Sequence, residues 1–326
     1  MLSNPMIDAA YAKALALYAN LASVTGIDIG SRYTAGVSTG VLAVRIHVAE
    51  KLGSDRLQDV DQFPAAIDGV PVDVIQGDYR SSAAVAGLSD AANRRQRFDC
   101  LQPGMSVAPR GSDTVGTLGM IVRDCVSGKP AILSNRHVFA DSLQSRKGDQ
   151  ILQPASNNGG EVGADVVAEL ERMILDQNGD AAIALVNDQR PFEARILGLN
   201  LAPNAVIDPQ IGDVVVKSGV ATRVTRGRVD GIGRYFLTYQ ISGFAQRLGF
   251  DGFYIIPLDP SNPANQEISA PGDSGAVWIK DGAAAVVGLH VAGDAAGSQA
   301  CGEYAIACSA TNVFKALNIE PWPAGS

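Results

Sequence analysis

The sequence has few aromatic residues and few cysteines. Phe, Trp and Tyr make up 6% of its 326 residues, so small aliphatic side chains have to fill much of the core. The four cysteines, Cys100, Cys125, Cys301 and Cys308, are too sparse for a disulfide framework and lack the spacing of a zinc site. Cys301 and Cys308 are close enough to pair across a hairpin, but we favour free thiols. No metal and no other cofactor is expected.

Basic charge and long apolar runs are also scarce. The formal net charge is −8, which argues against a nucleic-acid partner because such partners require a basic surface. No apolar run reaches the length that crosses a bilayer. Asp8 and Lys13 interrupt the N-terminal segment, which therefore lacks the pattern of a secretion signal. We expect a cytoplasmic protein without nucleic-acid or membrane partners, and a homo-oligomer is compatible with this composition.

Residues 1–80 have the pattern of a small α/β domain. Asn4 is a plausible helix cap, Pro5 suits the first helical position, and apolar residues follow at helical spacing. Extended runs cover residues 26–33, 41–48 and 70–75. The second run alternates like a half-buried strand, and its His47 is interpreted as structural because no partner motif accompanies it.

Residues 81–99 have the composition of a linker, rich in Ala, Ser, Asn and Arg. Its basic cluster, Arg94 to Arg97, is either a processing site or, as we favour, a solvated surface turn. Because residues 1–95 hold none of the candidate functional residues described below, we expect a pendant domain that controls access or assembly. The competing hypothesis is that the domain is integral to the folding of the rest.

From residue 100 onward the chain alternates short apolar runs with Gly, Asp and Asn turns. Strands are predicted throughout, including separate strands at 226–232 and 235–241, and residues 310–317 are predicted to form a closing helix. Strands this frequent indicate a β-sandwich or closed β-barrels.

The segment from Ala270 to Trp278 contains Gly272-Asp273-Ser274-Gly275 and leads into an apolar strand. Flanking glycines permit a tight turn, so the N–H groups of Gly272 and Ser274 are placed to form an oxyanion hole beside a serine nucleophile. A lipase-type nucleophile elbow is excluded because Ala276 stands where that motif requires glycine.

A serine nucleophile needs a base and an orienting carboxylate. His137 follows an apolar strand and a polar Ser134-Asn135-Arg136 step, which is a suitable place for the base. Asp180 follows Gly179 and opens an apolar strand, so it is the candidate carboxylate. Asp176 and Asp188 are rivals, but neither stands directly before such a run.

The His, Asp, Ser order and these motifs resemble the trypsin-like (chymotrypsin-clan) serine peptidases over residues 100–318. The resemblance implies two six-stranded antiparallel β-barrels, at 100–200 and 201–326, with His137 and Asp180 on the first and Ser274 on the second. The stretches 116–124, 134–138, 180–184 and 216–219 are similar to bacterial members related to the plant narrow-leaf serine protease. The resemblance therefore implies a serine endopeptidase that acts on protein or peptide substrates.

The sequence also departs from that family's pattern. Asn135-Arg136-His137-Val138 replaces the usual surroundings of the histidine, and Ala276 replaces a glycine. In zymogen-type members a newly cut N-terminus pairs with the Asp before the Ser, which is Asp273 here. Since about a hundred residues precede the first barrel, either the oxyanion hole forms without cleavage or the linker is cut.

Two residues are candidates for recognising the P1 side chain of a substrate. The segment 288–293 resembles the lining of the primary pocket, and its His290 is similar to a histidine of glutamate-preferring members. Ser269 is expected nearby, and together they would bind a P1 carboxylate through charge-assisted hydrogen bonds. The alternative is that His290 is only a wall residue. For the whole chain, the alternative to an endopeptidase is a peptide-binding or scaffold protein on the same fold with little or no turnover.

Overall fold

The computed structural model describes residues 4–34, 37–52, 62–79, 84–85, 92–241, 243–259, 267–293 and 303–323. Its α-helices are α1 Pro5–Tyr18, α2 Ala92–Arg95, α3 Arg136–Phe139 and α4 Ala310–Leu317, and Ser156–Asn158 form a short 3₁₀ helix. Its strands are β1 Val24–Thr34, β2 Val37–Val48, β3 Ala66–Ile67, β4 Val70–Gln76, β5 Ala84–Val85, β6 Ser106–Pro109, β7 Thr114–Thr117, β8 Met120–Asp124, β9 Pro130–Ser134, β10 Gln150–Leu152, β11 Val166–Asp176, β12 Gly179–Val186, β13 Ala205–Val206, β14 Val214–Gly219, β15 Arg223–Ile241, β16 Phe244–Pro257, β17 Val277–Lys280, β18 Ala285–Gly293, β19 Ala305–Ser309 and β20 Ile319–Pro321.

Both predicted barrels are present as closed rings of six antiparallel strands. In the first barrel, β7 and β8 are separated only by Leu118 and Gly119 and act as one bent strand. The ring runs from β6 through β7/β8, β9, β12, β11 and β10 back to β6. The second ring runs from β14 through β17, β18, β19, β16 and β15 back to β14. The mainly β, double-barrel prediction is confirmed.

The two barrels pack against each other through a shared apolar core. Met120, Leu133 and Ile183 of the first barrel lie in one buried cluster with Val277 and Leu289 of the second. Strand β20 then crosses back and pairs with β8 of the first barrel. Burial of this continuous apolar surface fixes the relative position of the two barrels, and therefore of any residues on their facing edges.

The N-terminal unit continues the sheet of the second barrel. Its helix α1 begins as predicted, with the Asn4 side chain accepting a hydrogen bond from the Met6 N–H. Strand β1 pairs with β2 on one side and with β15 on the other, from Gly26↔Tyr235 to Gly30↔Gly231. The unit is therefore joined to the barrel by backbone hydrogen bonds and not only by the linker.

The prediction that β2 is half-buried is wrong. Every residue from Ala43 to Val48 is buried, because one face packs under α1 while the other lies against β15 and β16. On that second face Arg45 forms ion pairs with Asp28 and Asp230, and His47 contacts Tyr79 and Asp28. His47 is thus a structural residue of a buried polar cluster, as interpreted from the sequence.

The predicted break between residues 232 and 235 is also wrong, since β15 runs without interruption from Arg223 to Ile241. Gly231 and Gly233 both lie within this continuous strand. Their role is to make space: a Cβ on Gly231 would collide with the side chains of Arg45 and Asp28, and one on Gly233 with the backbone of β1.

The basic cluster of the linker is not a solvated turn. Arg94 is buried, and its guanidinium donates to the Ser218 hydroxyl at 2.7 Å and to the Gly219 carbonyl at 2.8 Å. Arg97 is about half exposed and pairs with Asp99 and Asp165. The end of the linker is therefore anchored to both barrels.

The remaining predictions concern helices, cysteines and metals. Helix α4 has the predicted bounds and is capped by Ser309. Cys100, Cys125 and Cys308 are free thiols, while Cys301 lies outside the described residues. In the part of the chain that the structure describes, no helix is long and apolar enough to span a membrane, and no cluster of His, Cys, Asp and Glu is arranged to hold a metal ion.

Candidate active site

His137 and Asp180 are in direct contact in the first barrel. His137 lies in the one-turn helix α3 that follows β9, not on the strand itself. Asp180 is the second residue of β12 and is fully buried. Its Oδ2 is 2.5 Å from Nδ1 of His137, and its Oδ1 accepts the His137 backbone N–H at 3.1 Å. The carboxylate therefore fixes both the ring and the backbone of the histidine.

The local sequence explains how this pair is held. Strand β9 pairs with β12, with Ser134 opposite Ala182, so His137 and Asp180 emerge at the same end of neighbouring strands. The Asn135 side chain donates to the Asp180 carbonyl at 2.7 Å and ties the two segments together. Burial alone would raise the pKa of the Asp180 carboxyl, but the interactions with His137 lower it below its ordinary value.

Ser274 lies on a turn of the second barrel that is pressed against the first. Its carbonyl accepts the Thr117 N–H at 2.8 Å, and its hydroxyl donates to the Val291 carbonyl at 3.4 Å. Gly116 sits between Val138 and the Ser274 backbone, so the serine is placed beside the histidine-bearing segment. Nε2 of His137 is buried and has no hydrogen-bond partner among the described residues. The hydroxyl–imidazole hydrogen bond is therefore not formed in this conformation.

The turn before Ser274 has a defined shape. Asp273 N–H donates to the Ala270 carbonyl at 3.0 Å, and Gly272 has φ of +108°. Proline at the second position and a positive-φ glycine at the third are the signature of a type II turn. The Thr117 hydroxyl donates to the Gly272 carbonyl at 2.8 Å, which fixes the orientation of the peptide that follows it. Gly275 also has positive φ, and a Cβ there would collide with Ser134.

Asp273 pairs with an internal cation. Its fully buried carboxylate accepts hydrogen bonds from Nζ of Lys217 at 2.7 Å, from the Thr222 hydroxyl at 2.5 Å and from the Ala221 N–H at 2.9 Å. Burial acts to raise the pKa of this carboxyl, but Lys217, His290 and the hydrogen bonds together lower it. Burial, only partly offset by Asp273, lowers the pKa of the Lys217 ammonium. A lysine side chain therefore occupies the role that the sequence resemblance gave to a free N-terminus.

Ser269 and His290 are both buried in the second barrel. The Ser269 hydroxyl donates to the Tyr304 carbonyl at 3.2 Å and fills the space where a Cβ on Gly293 would stand. His290 is buried, and its Nδ1 accepts the Trp278 Nε1–H at 3.4 Å. Burial, followed by the charge of Lys217, lowers the pKa of His290 to about 3. Since Trp is only a donor, the single proton of this neutral imidazole is on Nε2.

Two buried residues at the site were missed by the sequence reasoning. Lys217 interrupts the apolar run of β14, which was a visible signal, but nothing nearby in sequence indicated Asp273 as its partner. Tyr239 of β15 lies between the barrels, with its ring centroid 6.3 Å from that of His137. Its only sequence signal was the alternation of Tyr235, Leu237 and Tyr239 along a strand.

Comparison with known proteins supports the architecture. No protein-family model and no curated protein sequence matches the chain. Among solved structures, a glutamic acid-specific serine protease is 18% identical with a TM-score of 0.50, over 68% of this chain and 100% of that one. The chain has the trypsin-like fold.

Other solved structures of this trypsin-like fold align over the same share of the chain. A Nocardiopsis protease is 16% identical with a TM-score of 0.47, over 68% of this chain and 100% of its own. A Cellulomonas bogoriensis chymotrypsin is 12% identical with a TM-score of 0.46, over 68% and 99%. These structural neighbours are chymotrypsin-clan serine proteases, and the narrower resemblance to relatives of the narrow-leaf protease stays a prediction.

Proposed function

We propose that this chain is a serine endopeptidase that hydrolyses peptide bonds through an acyl-enzyme intermediate on Ser274. The observation that carries the proposal is the buried contact between Asp180 and Nδ1 of His137, at 2.5 Å, beside a turn that carries a serine. A carboxylate on Nδ1 holds the imidazole with Nε2 free to accept a proton, which is what a serine nucleophile requires.

The chemistry follows from these positions. Ser274 Oγ attacks the scissile carbonyl while Nε2 of His137 takes its proton, and the same nitrogen then protonates the leaving amine. Asp180 stabilises the imidazolium that forms between the two steps. The N–H groups of Gly272 and Ser274 stabilise the oxyanion, a role typically worth about 3–4 kcal/mol per donor. The step requires the Ser274 hydroxyl to turn from the Val291 carbonyl toward Nε2.

A second candidate is a peptide-binding or scaffold protein with little or no turnover. It is favoured by one observation, the engagement of the Ser274 hydroxyl with the Val291 carbonyl at 3.4 Å while Nε2 of His137 has no partner among the described residues. If that arrangement persisted with substrate bound, the chain would bind peptides without activating its serine.

Reaction with a fluorophosphonate separates the two candidates. We expect the full-length chain to be labelled on Ser274 and the Ser274→Ala variant to remain unlabelled. With a peptide library, Ser274→Ala should lower kcat by about 10⁶, and Asp180→Asn by about 10⁴. Equal cleavage by wild type and Ser274→Ala would reject the assignment, and a folded but unlabelled wild type would favour the scaffold.

The finer proposal concerns an acidic P1 residue. A structural neighbour is a glutamic acid-specific protease that uses a histidine triad in substrate binding. This chain has three histidines in all, and His47 and His137 are engaged elsewhere, so His290 alone is left for a pocket. Its neutral imidazole would donate Nε2–H to the P1 carboxylate.

Profiling of cleavage sites in a peptide library tests this preference. Glu or Asp should be enriched at P1 for the wild type, and the enrichment should disappear in His290→Ala, whereas total turnover of neutral P1 substrates should persist. A clear preference of the wild type for Arg, Lys or large aromatic residues at P1 would reject the acidic pocket without affecting the proposed reaction.

A further inference from the structure

In the part of the chain that the structure describes, the hydrogen-bonding contacts of the Asp180 carboxylate come from one residue, His137. Within the described residues, its two oxygens accept the backbone N–H and contact Nδ1 of His137. An ionised carboxylate offers about four acceptor positions. A fully buried one that uses only two of them lacks part of the stabilisation that water would give it, so a further donor is expected nearby.

Tyr239 is the side chain placed to be that donor. Tyr235, Leu237, Tyr239 and Ile241 lie on the face of β15 that is buried in the core between the barrels. The Tyr239 ring centroid lies 6.3 Å from that of His137, whose Nδ1 contacts Asp180, and burial followed by the Asp180 charge raises the pKa of Tyr239 well above its ordinary value. The hydroxyl is itself buried and has no hydrogen-bond partner among the described residues.

The contact between Asp180 and His137 has an unpaired polar atom on each side. Nε2 of His137 and the hydroxyl of Tyr239 are both buried and both lack a hydrogen bond among the described residues, and the Asp180–His137 pair lies between them. Hydrogen bonds of catalytic groups are often long or misaligned in the free protein and tighten when substrate binds. A buried hydroxyl without a partner lowers the stability of the free protein. That cost is expected for a hydroxyl that forms its hydrogen bond only when substrate is bound.

We propose that Tyr239 is a positioning residue, whose hydroxyl donates to the Asp180 carboxylate while His137 Nε2 engages Ser274. This inference rests on the proposed serine-peptidase function. Tyr239 touches neither substrate nor the reacting atoms; it holds Asp180 ionised and directed at Nδ1. The strand that carries it also pairs with β1, so the N-terminal unit contributes to the position of this donor.

The test compares Tyr239→Phe with Tyr235→Phe in the full-length chain. Tyr235 is on the same face of β15, but its hydroxyl donates to Asp28 at 2.7 Å, away from the site. Tyr239→Phe should lower kcat on a small ester about tenfold, since a hydrogen bond to a charged group is lost in the reaction, with KM unchanged. The acid limb of the pH profile should move to higher pH, because Asp180 loses a donor that lowers its pKa.

The thermal stability of the two variants distinguishes a positioning role of Tyr239 from a packing role. Because the Tyr239 hydroxyl is unpaired in the free protein, Tyr239→Phe should unfold at the same or a higher temperature than wild type, while Tyr235→Phe should be less stable with normal kcat. Wild-type kcat and pH profile in Tyr239→Phe would overturn the inference, as would misfolding of this variant. Failure of the proposed function is distinct, because the wild type itself would then show no labelling that depends on Ser274.

Discussion

At the scale of single residues, the ion pair between Lys217 and Asp273 holds the turn that precedes Ser274. Both side chains are fully buried, and Lys217 also lies 5.5 Å from the ring centroid of Trp278. Removing one partner of a buried pair leaves the other charge uncompensated, which is far more costly than losing a surface pair. The ammonium is supplied by the barrel itself, so a cut N-terminus is not required to neutralise Asp273.

We therefore predict that Lys217→Met lowers the free energy of unfolding by about 3–5 kcal/mol and slows fluorophosphonate labelling. Lys280→Met is the matched control, because Lys280 pairs with Asp213 at a partly exposed site and should cost at most about 1 kcal/mol. Urea unfolding and labelling rates measure both. Equal small losses in the two variants would contradict the role given to Lys217.

The Lys217–Asp273 ion pair also leads to a prediction about cleavage of the linker. If Lys217 replaces a free N-terminus, the intact chain should react with fluorophosphonate before any cleavage of the linker. The mass of the labelled protein, measured without digestion, should equal the full 326-residue chain plus one label. Label found only on chains cut within the linker would show that processing activates the site.

At the scale of elements, the long hairpin of β15 and β16 connects all parts of the molecule. One half of β15 closes the second barrel with β14, and the other half pairs with β1 of the N-terminal unit. Its buried face enters the core between the barrels. Gly231 stands where the Arg45 and Asp28 side chains cross this strand, so the hairpin can pair with β1 only if that position has no side chain.

Gly231→Ala should therefore destabilise the protein by at least about 2 kcal/mol, since overpacking at a site that cannot relax is costly. The control is Gly243→Asn at the end of the same hairpin, where φ is +82° and a Cβ would meet no atom; asparagine tolerates this conformation. Thermal unfolding of both variants is the measurement. A tolerated Gly231→Ala would mean that the Arg45 cluster can move aside freely.

At the scale of the whole molecule, the contacts favour the hypothesis that the N-terminal unit is integral to the fold. Arg45 neutralises Asp230 of β15, and Tyr79 packs among the buried residues of the core between the barrels. Arg94 of the linker is bonded to Ser218 next to Lys217. Loss of the N-terminal residues would expose one edge of β15 and leave the Asp230 carboxylate without its cation.

A chain shortened to begin at Leu101 is accordingly expected to be insoluble or to aggregate. Soluble yield, mass by light scattering and the rate of ester hydrolysis are the readouts. Arg45→Met in the full-length chain is the companion variant, because it removes the cation but keeps β1, and it should be destabilised yet soluble. A soluble, monomeric short chain with wild-type turnover would show that the N-terminal unit is pendant after all.

The sequence by itself determined the features that depend on local pattern. Turn residues between short apolar runs indicated barrels, and cap residues located α1. The order of the His137, Asp180 and Ser274 motifs was visible because each motif is set by its immediate neighbours: a strand end, a glycine before a strand and a glycine-flanked turn. Such signals depend on backbone preferences over a few residues, and these are present in the chain before it folds.

The tertiary structure alone decided which distant residues meet. Lys217 and Asp273 are 56 positions apart, and Arg45 and Asp230 are 185 apart, so neither pairing has a local signal. The alternating sequence of β2 wrongly predicted a half-buried strand, because alternation indicates one buried face only where the other face is in water, and both faces of β2 are buried. Tyr239 lies near His137 only because its strand packs into the apolar core that the two barrels share. Partners of buried charges are chosen by how sheets close and pack, which the spacing of residues along the chain does not encode.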